Sequence, residues 1–418
     1  MAGAPRPSGR VVVTGLGGIT PLGTGVDKFW PRIVAGENAV DRITHLDPSE
    51  FTTQIGAEVR DFEAEDWLDK KEARRIDRFI AFAVGASTMA LNDACLKAEG
   101  ELAEQVGVMI GSGIGGLTFL GEQFRRQIEG GPSKVSPFLV PYMIPDMASG
   151  YTSIVHGLKG PNSCVVTACA TGANAIGDAY HIIRRGDAVA MLAGGTEAPI
   201  NEIGMAGFCS ARAMSTRNDD PAHASRPFDA ERDGFVISEG AAVLILEDYE
   251  FAVNRGATIY AEIVGYGMTG DAFHITQPDP EADGATRAMK AALRGAGLEP
   301  GAVDYINAHG TSTLYNDRLE TLAIKRVFGD YASRLPVSST KSMIGHSLGA
   351  AGAIEAAVCL LAMRDNVLPP TINYEKPDPD CDLDYVPNRS RPAPLNCVLS
   401  NSFGFGGHNV SLIFRKVS

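Results

Sequence analysis

Residues at 11–14, 106–110, 188–193, 242–246, 303–307, 398–400 and 410–414 form short, mainly apolar runs, each closed by Gly, Asn, Asp, Ser or Thr or by charged residues. Runs without a polar face predict strands buried on both sides, as a sheet between helical layers requires. Between them lie Ala-rich stretches at 79–91, 173–185, 285–294 and 350–363, long enough for about three helical turns each. The alternation predicts an α/β layered protein. The Pro- and Asp-rich stretch 219–231 reads as an ordered surface loop, and near Arg255 and Gly256 a second half begins with a strand at 258–264. No residue-level repeat is visible between the halves.

Composition narrows the function classes. With 418 residues, 44% of them hydrophobic, the chain can bury a large core, which excludes a small binding module. Its formal charge of -13 argues against nucleic-acid binding over a basic surface. Seven cysteines, odd in number and without a CxxC pair, fit a reducing compartment and offer neither a disulfide framework nor zinc spacing, so no metal is expected. No apolar run reaches the roughly 18 residues of a spanning helix and residues 1–10 carry no apolar signal core, so the protein is expected to be cytoplasmic, with no membrane partner.

Within 163–173 a β-like run passes through small residues into a helix, with Cys169 at the turn. A thiol at a helix N-terminus faces the positive end of the macrodipole, so Cys169 is expected to be acidified below the usual pKa of about 8.5 and to act as a nucleophile. A cysteine alone is more often an inert core residue, so this assignment needs partners. Two segments supply them: Asn307-Ala308-His309-Gly310-Thr311-Ser312-Thr313, and Lys341-Ser342-Met343-Ile344-Gly345-His346, which leads into an Ala/Gly helix containing Glu355. Both set a histidine in a Gly-containing turn at a strand end, where ligands bind in α/β sheets.

Together with Thr167-Ala168-Cys169, these motifs resemble the β-ketoacyl-[acyl-carrier-protein] synthase family, most closely its type II branch. The resemblance spans nearly the whole chain, from Val11-Val12-Val13-Thr14-Gly15 through Gly111-Ser112-Gly113-Ile114-Gly115-Gly116 to Asn401-Ser402-Phe403-Gly404-Phe405-Gly406-Gly407. It implies a thiolase-like fold: two similar βαβαβ-type halves, here 1–255 with the nucleophile and 256–418 with the two histidines, in five α-β-α-β-α layers, working as a homodimer. It implies decarboxylative condensation of a Cys169-bound acyl chain with a malonyl thioester on an acyl carrier protein, in fatty acid elongation. No cofactor is implied beyond the phosphopantetheine arm that the carrier brings.

Position by position, the resemblance makes Cys169 the acyl acceptor and gives His309 and His346 the malonyl thioester oxygen, with Lys341 as the active-site lysine and Glu355 its buried partner. Asp317 and Phe405 are supporting residues; the backbone N–H groups of Cys169 and Phe405 form the oxyanion hole. Thr311 and Thr313 are expected to bind the pantetheine arm, and Ile114, Phe208 and Phe405 to line or gate the acyl pocket. Carrier proteins of this system are acidic, so a local basic face is needed. Lys71, Arg74 and Arg75, which with Arg78 have the spacing of one helix face, match the family's docking positions, as does Arg212. Ser133 and the Leu314-Tyr315-Asn316 turn depart from the common family pattern.

Two motifs point elsewhere. Gly111, Gly113 and Gly116 satisfy GxGxxG, but no strand-end acid follows about 20 residues on to hold a ribose. Gly345-His346-Ser347-Leu348-Gly349 matches the hydrolase elbow, with His408 later in the chain, but that chemistry leaves Cys169, His309 and Lys341 without roles. A chain-length factor would lack the cysteine, and a thiolase would use a Cys/His pair in another context.

Overall fold

The computed structural model describes residues 9–417. The expected strands, together with two-residue strands at 162–163 and 337–338 that no apolar run marked, give β1 (Val11–Thr20), β2 (Val106–Gly111), β3 (Asn162–Ser163), β4 (Ala190–Glu197), β5 (Gly240–Asp248), β6 (Ala261–Gly270), β7 (Tyr305–Asn307), β8 (Val337–Ser338), β9 (Cys397–Gly404) and β10 (His408–Arg415). Their hydrogen-bonded order is β8-β7-β9-β10-β6-β1-β5-β4-β2-β3, with the short Gly23–Thr24 strand added to β1.

That order is a duplication. Outward from β1 the strands run 1-5-4-2-3, and outward from β6 they run 6-10-9-7-8, the same permutation. Pairing senses match as well: β1 with β5 and β6 with β10 are antiparallel, as are β4 with β5 and β9 with β10, whereas β2 and β7 are parallel to their neighbours. The two sets join where Val11–Val13 pair antiparallel with 261–263, so one continuous hydrogen-bonded path links them.

Helices α1 (Arg78–Asp93), α2 (Thr171–Arg185), α3 (Asp283–Ala296), α4 (Leu314–Phe328) and α5 (Ala351–Asp365) complete the layers. Between the two sets of strands α2 packs on α5, which from Ala351 to Met363 is buried on every side and, Glu355 apart, carries no charged residue. The crossing is tight: a Cβ on Gly172 would lie 2.8 Å from the Ala353 nitrogen, and one on Gly352 2.8 Å from the Ala173 nitrogen. Outside, α1 covers the first set, and α3 and α4 cover the second, giving an α-β-α-β-α stack with a core in each interlayer space. Because β2, β3 and β4 share a direction, as do β7, β8 and β9, the loops leaving their C-terminal ends gather along one edge.

Three sequence expectations shift. The strand expected at 258–264 runs from Ala261 to Gly270, and that at 303–307 is confined to 305–307. The helix face expected to carry residues 71 to 78 is broken: one helix spans only Lys70–Ala73, and Asp77 caps a new one by accepting a hydrogen bond from the Phe79 N–H. Among the described residues no helix is long and apolar enough to cross a membrane.

Candidate active site

Cys169 sits in a single 3-10 turn, Ala168–Ala170, that feeds α2. The preceding residue, Ala168, is held at φ +50°, a left-handed conformation that costs an L-residue about 1 kcal/mol. In the second set Leu348 at φ +47° opens the turn Leu348–Ala350 that feeds α5, so Gly349 stands in the place that Cys169 occupies in the first. The thiol is 9% exposed, and two backbone N–H groups, its own and that of Phe405, are directed at its sulfur.

The expected acidification does not occur. Burial pushes the Cys169 thiol up to about 12; the positive charge of Lys341 and the two N–H groups pull it down, Glu197 raises it, and desolvation dominates. The macrodipole argument failed because the helix end is dry, and removing the thiolate from water costs more than the dipole returns.

His309 and His346 reach the same place from β7 and β8. Their rings meet edge to face, centroids 5.4 Å apart, with Phe403 beside His309 and Phe235 beside His346. Burial first, then the charge of Lys341, holds both imidazoles well below the ordinary range, so both are neutral at physiological pH. Lys341 lies behind His309, its Nζ donating to the His309 carbonyl at 2.6 Å, standing 3.5 Å from Nδ1 and paired with Glu355. An ammonium facing Nδ1 leaves the ring proton of His309 on Nε2.

A cavity of about 660 Å³ is shared by Cys169, His309 and His346. Thr311 and Thr313, whose hydroxyls are 2.9 Å apart, line it, and Arg212 lies at its wall. On the apolar side Ile114, Phe208 and Phe405 line it, Ile114 and Phe208 belonging with Met205 and Leu348 to one cluster around the thiol. Lys341, Glu355 and Asp317 stay behind the wall. Fully buried Asp317 accepts from the Phe228 N–H at 2.8 Å and from the Thr311 N–H, and its carboxyl is raised by burial.

Two carboxylates escaped the sequence reading. Glu320, three residues beyond Asp317 on α4, accepts from the N–H groups of His309 (2.9 Å) and Gly310 (2.8 Å) and so fixes the histidine turn; burial brings it up to about 7. The i, i+3 acidic pair following the histidine motif was its signal. Glu197, at the end of β4, accepts from Ser112 Oγ and the N–H groups of Gly113, Ile114 and Gly349. It binds the Gly-rich loop that mimics a dinucleotide motif, filling the anion position with a protein carboxylate, and ties that loop to the second set.

Lys71, Arg74, Arg75 and Arg212 are exposed; Arg74 makes a 3.3 Å contact with Glu65. Arg78, by contrast, turns inward to Glu239 at 3.0 Å and to the Val59 carbonyl.

The chain is similar to known proteins over nearly its whole length. Residues 8–252 match the family "Beta-ketoacyl synthase, N-terminal domain" and residues 260–375 match "Beta-ketoacyl synthase, C-terminal domain". The 3-oxoacyl-[acyl-carrier-protein] synthase 2 of Synechocystis sp. is 56% identical over 407 residues, 97% of this chain and 98% of its own. That of Coxiella burnetii is 53% identical over 408 residues, covering 98% and 99%. Among solved structures, a β-ketoacyl synthase from Burkholderia phymatum superposes with a TM-score of 0.90 at 42% identity, covering 98% of this chain and all of that one. A ketosynthase solved in complex with its type II polyketide acyl-carrier protein gives 0.91 at 36%, covering 98% and 99%. The chain belongs to the β-ketoacyl synthase family, with its mixed α/β, thiolase-like fold.

Proposed function

We propose that Cys169, His309 and His346 carry the two half-reactions of this 3-oxoacyl-[acyl-carrier-protein] synthase, a condensing enzyme of fatty acid elongation. In the first, the Cys169 sulfur attacks the thioester of a carrier-bound acyl chain and the carbonyl oxygen becomes an oxyanion facing the N–H groups of Cys169 and Phe405. The C–S bond to the pantetheine breaks, and the proton lost by Cys169 ends on the departing thiolate. The exchange is thiol for thiol, so it consumes no net base; the attacking species is the small thiolate fraction, and a thiol that rests protonated is compatible with turnover.

In the second, His309 and His346 hold the malonyl thioester oxygen. The bond to the malonyl carboxylate breaks, carbon dioxide leaves, and the electron pair becomes an enolate stabilised by imidazole N–H donors. The enolate carbon attacks the acyl carbonyl on Cys169, the thiolate is expelled and regains a proton from water, and 3-oxoacyl-carrier is released. Lys341, paired with Glu355, keeps the imidazoles uncharged. Holding both acyl partners in one cavity removes most of the entropic cost of the condensation.

Thr311 and Thr313 hydrogen-bond the arm, with Asp317 fixing their turn; Ile114, Phe208 and Phe405 line and gate the acyl pocket. Lys71, Arg74, Arg75 and Arg212 dock the acidic carrier. Two halves, 1–255 and 256–418, meet at the site. The working unit is a homodimer, supported by exposed Ile154 (73%) on the helix Met147–His156, which packs against β3 at the open edge of the sheet, and by exposed Val140 (62%) and Ile128 (74%) on the helices next to it. Seven free thiols suit a reducing compartment such as the cytoplasm.

One observation carries this reading: a thiol under two N–H donors shares one cavity with two neutral imidazoles. His309→Ala and His346→Ala should each abolish carbon dioxide release from malonyl-carrier while Cys169 still takes up acyl groups, and Cys169→Ala should do the reverse. Equal loss of both half-reactions in every variant would defeat the division of labour.

A further inference from the structure

The turn that carries Thr311 and Thr313 is strained at its centre. Ser312, between them, sits at φ +68°, a conformation that costs a non-glycine residue on the order of 1 kcal/mol or more, so the turn relaxes unless its surroundings hold it. Beside the Asp317 carboxylate on the Thr311 N–H, the fastening comes from 226–234. The Arg226 N–H donates to Ser312 Oγ at 3.0 Å, and the Gly234 N–H donates to the Ser312 carbonyl at 3.1 Å.

Arg232 completes the clamp. Its guanidinium is 2% exposed and donates from Nε to the Thr313 carbonyl (3.1 Å), from Nη2 to the Leu314 carbonyl (3.2 Å) and from Nη1 to the Asp229 carbonyl (2.8 Å) and Asp378 (2.6 Å). Asp317 lies 3.6 Å from Nε on the same side. Two and three residues on, Gly234 and Phe235 line the cavity, and the Phe235 ring stands edge-on to His346 at 5.4 Å. One buried planar cation thus joins the wall bearing the two threonines to the wall backing a histidine. Only a guanidinium spreads donors widely enough to reach these acceptors; a lysine ammonium is a point.

We propose that Arg232 is a positioning residue of the condensation, acting through the backbone of the 311–314 turn to hold the Thr311 and Thr313 hydroxyls where the pantetheine arm binds. This rests on the arm-binding role given above to the two threonines. Arg232 touches no reacting atom, so its contribution belongs to KM for any substrate that brings the arm. It does not belong to the reactivity of Cys169.

The test compares Arg232→Lys with Thr311→Val on malonyl-carrier and on malonyl-CoA, which brings the arm without the carrier protein, beside alkylation of Cys169 by iodoacetamide, which needs no arm. Arg232→Lys should raise KM for both malonyl substrates roughly five- to tenfold, the loss of about one hydrogen bond, with kcat within about twofold and the alkylation rate unchanged. If Thr311→Val raises KM and Arg232→Lys does not, the proposal is overturned and the arm-binding role stands; if Thr311→Val leaves KM unchanged, the arm-binding role itself is wrong. A fall in melting temperature with every activity reduced in proportion means that Arg232 only supports the fold, and the proposal is lost. Should Arg232→Lys not fold, Asp378→Asn removes the guanidinium's outward anchor, and it must shift the same two KM values upward by a smaller factor; unchanged values overturn the proposal.

Discussion

The buried thiol makes a quantitative prediction that separates this site from one with a preformed thiolate. With Cys169 raised to about 12, roughly 3 in 100,000 sulfurs are ionised at pH 7.5, against about one in ten for an ordinary cysteine near 8.5. A more basic thiolate is a better nucleophile, with a Brønsted coefficient near 0.45, which returns a factor of about 40. The net expectation is that iodoacetamide alkylates Cys169 about a hundredfold more slowly than an exposed cysteine, with log rate rising by about one per pH unit from pH 6 to 9.5 and no plateau. Lys341→Met removes a positive charge that lowers the thiol, so it should move the profile to still higher pH. Alkylation followed by peptide mapping in the acyl-free enzyme provides the assay. A plateau with a midpoint below pH 8 would refute the account of a dry thiol and restore the acidified nucleophile.

Lys341→Ala should impair decarboxylation far more than acyl loading, and it should cost about 3–5 kcal/mol of stability in urea unfolding because it strands Glu355, 1% exposed, without its partner; equal damage to both steps would contradict the assigned role. Arg74→Glu with Arg75→Glu should raise KM for carrier-bound substrates and leave small thioesters unaffected, and unchanged kinetics would refute the docking face. Glu320 titrates near 7 when folded, above its unfolded value near 4.5, so the folded state binds more protons in that window and stability falls as pH rises through it. Glu320→Gln should therefore flatten the pH dependence of the unfolding free energy between about pH 4.5 and 7, by at most about 3 kcal/mol, as followed by urea titrations.

What the sequence made legible follows from burial. β2, β4, β5 and β10 announced themselves because both faces are covered and both therefore read as apolar, and α1, α2, α3 and α5 because they are Ala-rich helices packed on the strands, α2 and α5 between the two sets and α1 and α3 outside them. Helices with wet faces, such as Leu117–Gly130, gave no such run. The duplicated strand order was invisible because it resides in pairing, and pairing constrains backbone geometry while leaving side chains free to diverge: Gly349 stands where Cys169 does. Cys169, His309 and His346 could be named because their motifs sit at strand ends that the fold must bring to one edge. Glu197 and Glu320 could not, since their partners are backbone N–H groups that any residue supplies. The thiol's protonation was misjudged because a helix end is readable in sequence and its dryness is not. Likewise the 71–78 spacing fitted one helix face, and only the Asp77 cap shows why the chain breaks there and Arg78 turns inward.

The most direct measurement is intact-mass spectrometry of the protein after exposure to carrier-bound acyl chains of graded length, followed by peptide mapping. The account predicts a single acyl adduct on the peptide containing Cys169, present in His309→Ala and His346→Ala, absent in Cys169→Ala, and discharged as 3-oxoacyl product when malonyl-carrier is added to the unmodified enzyme. An adduct on another residue, or none on a Cys169 that is otherwise intact, would contradict it.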